Sequence, residues 1–282
     1  MQLFLLVTLT MIAFAANSVL NRLAVDGGYI DPSSFAVIRV LAGAVVLGMV
    51  LSVRGGQLPL MKRGRIIGAL SLSAYMIGFS LAYATLDAGL GALILFGVVQ
   101  IVMFAWGAAT DARPTMRQLA GAGIAFVGLL VALWPGPGGI ADTGGAILMT
   151  IAGIGWAAYT LAGRGAPNPL GATAANFILA LPILALLLVG QGLSANMTGV
   201  GLAALAGGVT SGLGYTLWYA VLPRLPASTA AVVQLSVPII AIIGGALLLG
   251  EAVTGVILIA AGFVVGGIAL AVTTQSLPKG RK

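Results

Sequence analysis

The sequence contains no cysteine and no histidine, and only six of its 282 residues are acidic. Without cysteine there is no disulfide framework, no thiolate nucleophile and no sign of redox compartment. Without histidine, and with so few acids, a metal centre or a histidine-based catalytic triad has almost nothing to be built from. Charged residues make up 7% of the chain against 60% hydrophobic, and the mean hydropathy is +1.13. A soluble domain carries about 25% charged residues, so the polar surface needed to cover a globule in water is missing. That excludes a cytosolic enzyme, a disordered protein and a free nucleic-acid binder. The 13 basic residues raise the pI to about 10.3, and their meaning depends on where they fall.

Long apolar runs are what the chain has instead. A helix needs about 20 apolar residues to cross the hydrocarbon core. Ten stretches qualify, at 3–21, 34–52, 66–85, 89–109, 118–134, 145–163, 172–190, 200–220, 228–248 and 253–273. The breaks between them hold turn residues, such as Trp134-Pro135-Gly136-Pro137 and Arg164-Gly165-Ala166-Pro167. The period-two alternation of a membrane barrel is absent, which predicts an all-α integral membrane fold of ten helices. Ala13-Phe14-Ala15 followed by Ala16 resembles a signal-peptidase site, but residues 1–12 carry no Lys or Arg. The first span is therefore read as a retained helix.

The charges then orient the chain. With ten spans and both termini on one side, that side receives Arg54, Lys62, Arg63, Arg65, Arg113, Arg117, Arg164, Arg224, Lys279, Arg281 and Lys282. The other side receives only Arg22, with Arg39 a short way inside the second span. An excess of bases marks the cytoplasmic face, so both termini are expected there, the carboxyl end as a basic tail over 276–282. Asp26, Asp31, Asp87, Asp142 and Glu251 fall outside and only Asp111 inside. The high pI is thus a topology signal, and no nucleic-acid partner is expected.

The two halves of the chain echo one another. Ala13-Phe14-Ala15-Ala16-Asn17 leads to Arg22, as Gly155-Trp156-Ala157-Ala158-Tyr159 leads to Arg164. Phe79-Ser80-Leu81-Ala82-Tyr83-Ala84-Thr85-Leu86 parallels Tyr215-Thr216-Leu217-Trp218-Tyr219-Ala220-Val221-Leu222. Ala92, Gly123 and Gly128 find counterparts in Ala231, Gly262 and Gly267 at one constant offset, and Asp31-Pro32 and Asn168-Pro169 precede the second and seventh spans. One such match is an accident of alanine- and glycine-rich helices; four in the same order point to duplication. The expected units are residues 1–136 and 143–275. Five is odd, so the second copy enters the membrane from the opposite side. That inverted repeat is a transporter architecture, in which substrate binds between the halves and the halves rock for alternating access.

At this point the chain resembles the drug/metabolite transporter superfamily, in particular its ten-helix EamA-type exporters, and is similar to YddG-type amino-acid exporters. The tandem halves carry the resemblance, with Thr229-Ala230-Ala231-Val232-Val233-Gln234-Leu235-Ser236-Val237-Pro238, Leu249-Gly250-Glu251-Ala252 and Ala261-Gly262-Phe263-Val264-Val265-Gly266. In the first half Val99 replaces the Pro of this pattern, and Asp111 preceded by Thr110 replaces the Gly-Glu. The resemblance implies export of amino acids, other small metabolites or drugs across a bacterial inner membrane, without a cofactor.

Polar groups are costly in hydrocarbon, so those inside spans should face the bundle interior. The first span carries Thr10, Phe14, Asn17 and Asn21 on one helical stripe, and the sixth carries Trp156 and Tyr159. The third shows Tyr75, Phe79 and Tyr83; the eighth shows Ser211, Tyr215 and Tyr219 with Trp218. Gln100 and Gln234, with Ser236, lie deep in the fourth and ninth spans. The predicted substrate site is Phe14, Asn17, Tyr75, Phe79, Tyr83, Gln100, Trp156, Tyr159, Ser211, Tyr215 and Gln234, an aromatic cavity with a few amides and hydroxyls for a small amphipathic solute. Tyr83, Tyr219 and Trp134 fit an interfacial aromatic belt equally well, and the two glutamines equally well join helices. Glycine spacings such as Gly262 to Gly266 suggest close packing of the fourth, fifth, ninth and tenth spans. Pro182 and Pro238 should kink their spans, with Pro238 the candidate hinge.

No acid lies well inside any span, so the expectation is a uniporter or exchanger without proton coupling. Arg39 is the one charge placed within a span; snorkelling to the outer surface is the simpler reading, attraction of a substrate carboxylate the sharper one. A multidrug carrier on the same scaffold is the alternative. A membrane enzyme acting on lipid would need clustered acids, histidines or cysteines at the surface, and the cytoplasmic loops offer only Asp111. A packing protein without a solute path would tolerate alanine at Tyr215 or Asn17. Beyond the bilayer and a small-molecule substrate no partner is implied, and the oligomeric state is left open, with a monomer as one option.

Overall fold

The computed structural model describes residues 2–61, 64–110, 115–132, 142–163, 166–221, 224–225 and 233–272, and the side chains of these residues except 108, 110, 219 and 272. Expectations for Trp134, the Tyr219 side chain, Asp111 and the 276–282 tail fall outside them. The chain is built of helices: α1 Gln2–Asp26, α2 Pro32–Val53, α3 Gly64–Ala82, α4 Ala88–Thr110, α5 Met116–Ala132 and α6 Thr143–Gly163. Next come α7 Pro169–Ala185, closed by a 3₁₀ turn at Leu186–Leu188, and α8 Met197–Leu205. A π-helical segment, Ala206–Leu213, joins α8 to α9 Gly214–Val221; α10 Ser236–Leu249 and α11 Gly255–Val272 follow.

Seven of the described helical runs are long and apolar enough to cross a membrane, and α5, α10 and α11 are shorter apolar helices. Their outward faces carry large apolar side chains such as Phe4, Leu9, Met49, Ile66, Leu70, Ile151, Leu247 and Ile259. So much exposed hydrocarbon suits lipid as the solvent, not water. The protein is a helical integral membrane protein.

Capping fixes where several helices begin. Asp31 accepts from the backbone N–H groups of Ser33 (2.9 Å) and Ser34 (3.0 Å), with Pro32 in the first turn of α2. Asn168 caps α7 through Gly171 N–H at 3.0 Å, again with proline next in line. Proline fits there because the first-turn N–H groups have no helical partner to lose. Asp142 opens α6, accepting from Gly144 and Gly145 N–H and, at 2.6 Å, from the Thr85 hydroxyl. The Thr85 bond, then the two backbone donors, hold its carboxyl below the usual carboxylate range.

Small residues set how closely the helices approach. A Cβ on Gly78 would lie 2.5 Å from Leu148 O, and one on Gly155 2.8 Å from Tyr75 N, so α3 and α6 lie backbone to backbone. Likewise Gly121, Gly128 and Gly267 let α5 and α11 approach: a Cβ on Gly121 would meet Gly267 O at 2.5 Å. Glycine-mediated contact between these two helices was expected, but not at the glycines singled out for it. Gly262 and Gly266 have no neighbour within 4 Å of an added Cβ, because the face of α11 that meets α5 is one residue away, at Gly267.

Pro238 is buried in the first turn of α10, where its missing N–H costs nothing. The break in the helix lies just upstream: residues 233–234 are helical, Leu235 is a turn residue, and α10 starts at Ser236. Pro182 is accommodated inside α7, which ends three residues later.

Candidate functional site

Where α1, α2, α3, α6, α7 and the π-helix-containing span come together, the side chains form one buried cluster. Its centre is Arg39 on α2, which is 0% exposed. Snorkelling does not occur. The guanidinium Nε donates to Ser211 Oγ at 3.1 Å and Nη2 to the Tyr75 hydroxyl at 3.0 Å. Its carbon lies 4.8 Å from the Phe79 ring centre and 5.4 Å from that of Tyr75. Arg39 stays inside because α2 is pressed against the π-helical segment. A Cβ on Gly207 would fall 2.0 Å from Arg39 O, so only glycine allows the approach that sets Ser211 beside the guanidinium.

The polar contacts continue to α1. Ser211 Oγ donates to Asn17 Oδ1 at 3.1 Å, and Thr210 Oγ1 lies 2.6 Å from the same oxygen. Thr210 and Ser211 are neighbours in sequence, and the π-helical segment lets both hydroxyls reach one amide. Insertions of this kind recur at functional positions in helices. Asn17, Arg39 and Tyr75 thus join Thr210 and Ser211 in a connected set bridging the two halves of the chain.

Aromatic rings surround this set. Trp156 lies 4.9 Å from both Tyr75 and Tyr215, 5.5 Å from Tyr159 with nearly parallel planes, and 6.1 Å edge-on from Phe14. Phe14 also meets Tyr215 (5.7 Å) and Trp218 (5.9 Å) edge-on. Phe79 bridges Tyr75 (5.2 Å) and Tyr83 (4.8 Å). The close seam between α3 and α6 brings Tyr75 against Trp156. These are the offset and edge-on geometries that aromatic quadrupoles favour. Tyr83, a candidate for the membrane belt, is fully buried instead and its hydroxyl donates to Ala88 O at 3.4 Å.

Nine of the eleven side chains expected at the site are therefore in the cluster: Phe14, Asn17, Tyr75, Phe79, Tyr83, Trp156, Tyr159, Ser211 and Tyr215. They pack against one another, ring on ring and through the polar chain. Gln100 on α4 and Gln234 just before α10 are half-buried, and the contacts given above do not include them. Sequence reasoning missed Thr210 and Phe177, the latter edge-on to Tyr215 at 5.9 Å. The glycines around Thr210-Ser211 were a usable signal; a lone phenylalanine in an apolar run was not.

A second group lies at the end of α1. Arg22 Nη1 is 3.2 Å from Asp26, Nη2 3.5 Å from Asp87 and Nε 3.8 Å from Glu251. Nη1 also donates to Tyr83 O at 3.2 Å. The left-handed turn at Gly250 (φ +70°) folds the chain back, so that Glu251 accepts from Ala88 N–H at 2.7 Å at the start of α4. Burial pushes the Glu251 carboxyl above its ordinary value, against the lowering by Ala88 N–H, Gly89 N–H and Arg22. Between the unfolded value and the raised one, the folded state holds a proton that the unfolded chain has released. This contribution to stability is complete below the unfolded value near 4.5 and fades as pH rises through the raised one. The melting temperature of the wild type minus that of Glu251→Gln, followed in detergent, is expected to fall as pH rises from about 4. A difference that rises with pH would show that the Arg22 pairing dominates.

A lipid-facing helical shell around a buried polar and aromatic centre defines a helical membrane protein whose candidate site lies in its interior. Residues 143–273 match the EamA-like transporter family. An uncharacterized protein of Pseudomonas aeruginosa is 44% identical over 94% of this chain and 93% of its own length. An uncharacterized transporter of Archaeoglobus fulgidus is 25% identical over 73% of this chain and 75% of its own. A solved crystal structure shares the fold at TM-score 0.66 and 19% identity, covering 95% of this chain and 98% of that one. The chain belongs to the EamA-like transporter family.

Proposed function

We propose that the protein exports amino acids or related small metabolites across a bacterial inner membrane by alternating access. Ten spans form two inverted five-helix halves, residues 1–136 and 143–275, with both termini cytoplasmic and Pro238 at a hinge. The observation that carries this reading is the buried cluster itself. Asn17, Arg39 and Tyr75 from the first half meet Trp156, Ser211 and Tyr215 from the second, so relative motion of the halves opens or closes it.

The loops support the topology. In a ten-span chain the connections after the odd-numbered spans share one face. Ile30 bridges to Ala195, Thr85 bonds Asp142, and Arg22 gathers Asp87 and Glu251, which links all five of those connections at one end. The Arg22 group then closes the outer side, and its opening exposes the cluster outward. With no acid inside the described helices except Asp26 at the end of α1, transport proceeds as uniport or exchange without proton coupling.

Counterflow by the purified chain in liposomes tests this: preloaded unlabelled amino acid is expected to drive uptake of the labelled form, with no requirement for a pH gradient. Uptake driven uphill by an imposed pH gradient alone would contradict the uncoupled mechanism, and absence of counterflow with every solute tried would contradict the carrier reading. A multidrug carrier is the second reading, and a buried cation at the centre of the cluster weighs against lipophilic cations as its cargo.

A further inference from the structure

The cluster has a charge that no described residue balances. Arg39 places a guanidinium cation at a site where it is 0% exposed. The hydroxyls of Ser211 and Tyr75 and the two ring faces solvate it only partly, and Nη1 is buried without a hydrogen-bond partner. Burying an ion without a counter-charge is strongly unfavourable, because its lost hydration is not replaced. Every described acid is placed elsewhere: Asp26, Asp87 and Glu251 pair with Arg22, Asp31 caps α2 through Oδ1 while its Oδ2 has no hydrogen-bond partner, and Asp142 caps α6. Among the described residues no salt bridge reaches Arg39.

Resting on the carrier reading above, we propose that the missing counter-charge arrives with the solute: Arg39 is the anion-binding residue, and the substrate is a carboxylate bearing an aromatic or other apolar group. The guanidinium edge at Nη1 offers a charge-assisted hydrogen bond to a carboxylate oxygen. The faces of Trp156, Phe14 and Tyr215 take the apolar part of the solute. The described cluster contains no acid to receive an ammonium group. Recognition therefore rests on the carboxylate: a plain carboxylate binds at least as well as the matching zwitterion, and the matching amine does not bind.

Three solutes with one ring test this: 3-phenylpropionate, phenylalanine and phenethylamine, each added to the purified full chain while its thermal unfolding is followed. A ligand of the folded state raises the melting temperature. 3-Phenylpropionate is expected to stabilise at least as strongly as phenylalanine, and phenethylamine not at all. Arg39→Gln is expected to weaken binding of both carboxylates at least about tenfold, the loss of one good charge-assisted contact. Arg39→Lys, which keeps the charge, restores part of it. Should Arg39→Gln fail to fold, the order of the three solutes on the wild type decides alone. Stabilisation by phenethylamine equal to that by the carboxylates, or undiminished carboxylate binding to folded Arg39→Gln, overturns the proposal. Failure of all three solutes overturns it too, and counterflow of other solutes by the same preparation shows whether the carrier reading falls with it.

Discussion

Gly207→Val protein is expected to unfold at least about 10 °C below the wild type, or not to accumulate in the membrane at all. An added Cβ at this position would stand 2.0 Å from the Arg39 carbonyl oxygen, well inside contact distance, and the obstacle is backbone. No rotamer change relieves it, so α2 and the π-helical segment must separate. Overpacking by a methylene or two costs roughly 1–3 kcal/mol where side chains can adjust, and this site lacks that freedom. Separation also parts Arg39 from Ser211, leaving the guanidinium with one hydroxyl instead of two. Gly201→Ala is the matched control. It lies in α8 with nothing within 4 Å of the added Cβ, so it should hold or slightly raise stability through helix propensity. Equal losses in the two variants would show that the close approach at Gly207 is not what holds the cluster together.

Asn17→Asp separates the structural from the binding role of the polar chain. A carboxylate of nearly the same shape still accepts from Thr210 and Ser211 and gives up only the long Nδ2 donation to Ala13 O at 3.3 Å, so the protein should still fold. It also brings a negative charge within one hydroxyl of Arg39, since Ser211 lies 3.1 Å from each. At an effective dielectric constant of about 20 that attraction is on the order of 3 kcal/mol. Arg39 then has its counter-ion built in and no longer needs the solute's. Carboxylate transport, measured by counterflow, should fall at least about tenfold while the fold is kept. A stable Asn17→Asp protein that exchanges carboxylates at the wild-type rate would remove the electrostatic basis for recognition.

How much of this was legible in the sequence follows from what lipid makes costly. Aromatic and amide residues inside apolar runs have few places to go, so Tyr75, Phe79 and the stripe Phe14-Asn17 read as inward-facing from the sequence, while Tyr83, nearer a span end, fits an interfacial belt equally well. Arg39 was legible as a charge within a span but not as a buried one. Its fate depends on Gly207 lying against its backbone, a contact 168 positions away in the chain that periodicity does not encode. The π-helical segment escaped for a similar reason: its hydrogen-bond shift shows no change in the apolar pattern of residues 200–220. The Arg22 group was read only as a lone outer base. Asp26 lies one turn along α1 from Arg22, but Asp87 and Glu251 come from two different loops, and their meeting with Arg22 depends on the left-handed turn at Gly250 and on tertiary packing.

The central claim is that the Arg39 cluster lies on a solute path, and the absence of native cysteine makes a direct measurement available. Ser211→Cys carries a single thiol at the heart of the cluster. In membranes containing folded protein, a membrane-impermeant thiol reagent applied to one face or the other is expected to label it, and a transported solute to slow that labelling. A thiol that stays unlabelled from both faces, yet reacts once the protein is denatured, would mark the cluster as sealed core and contradict the account.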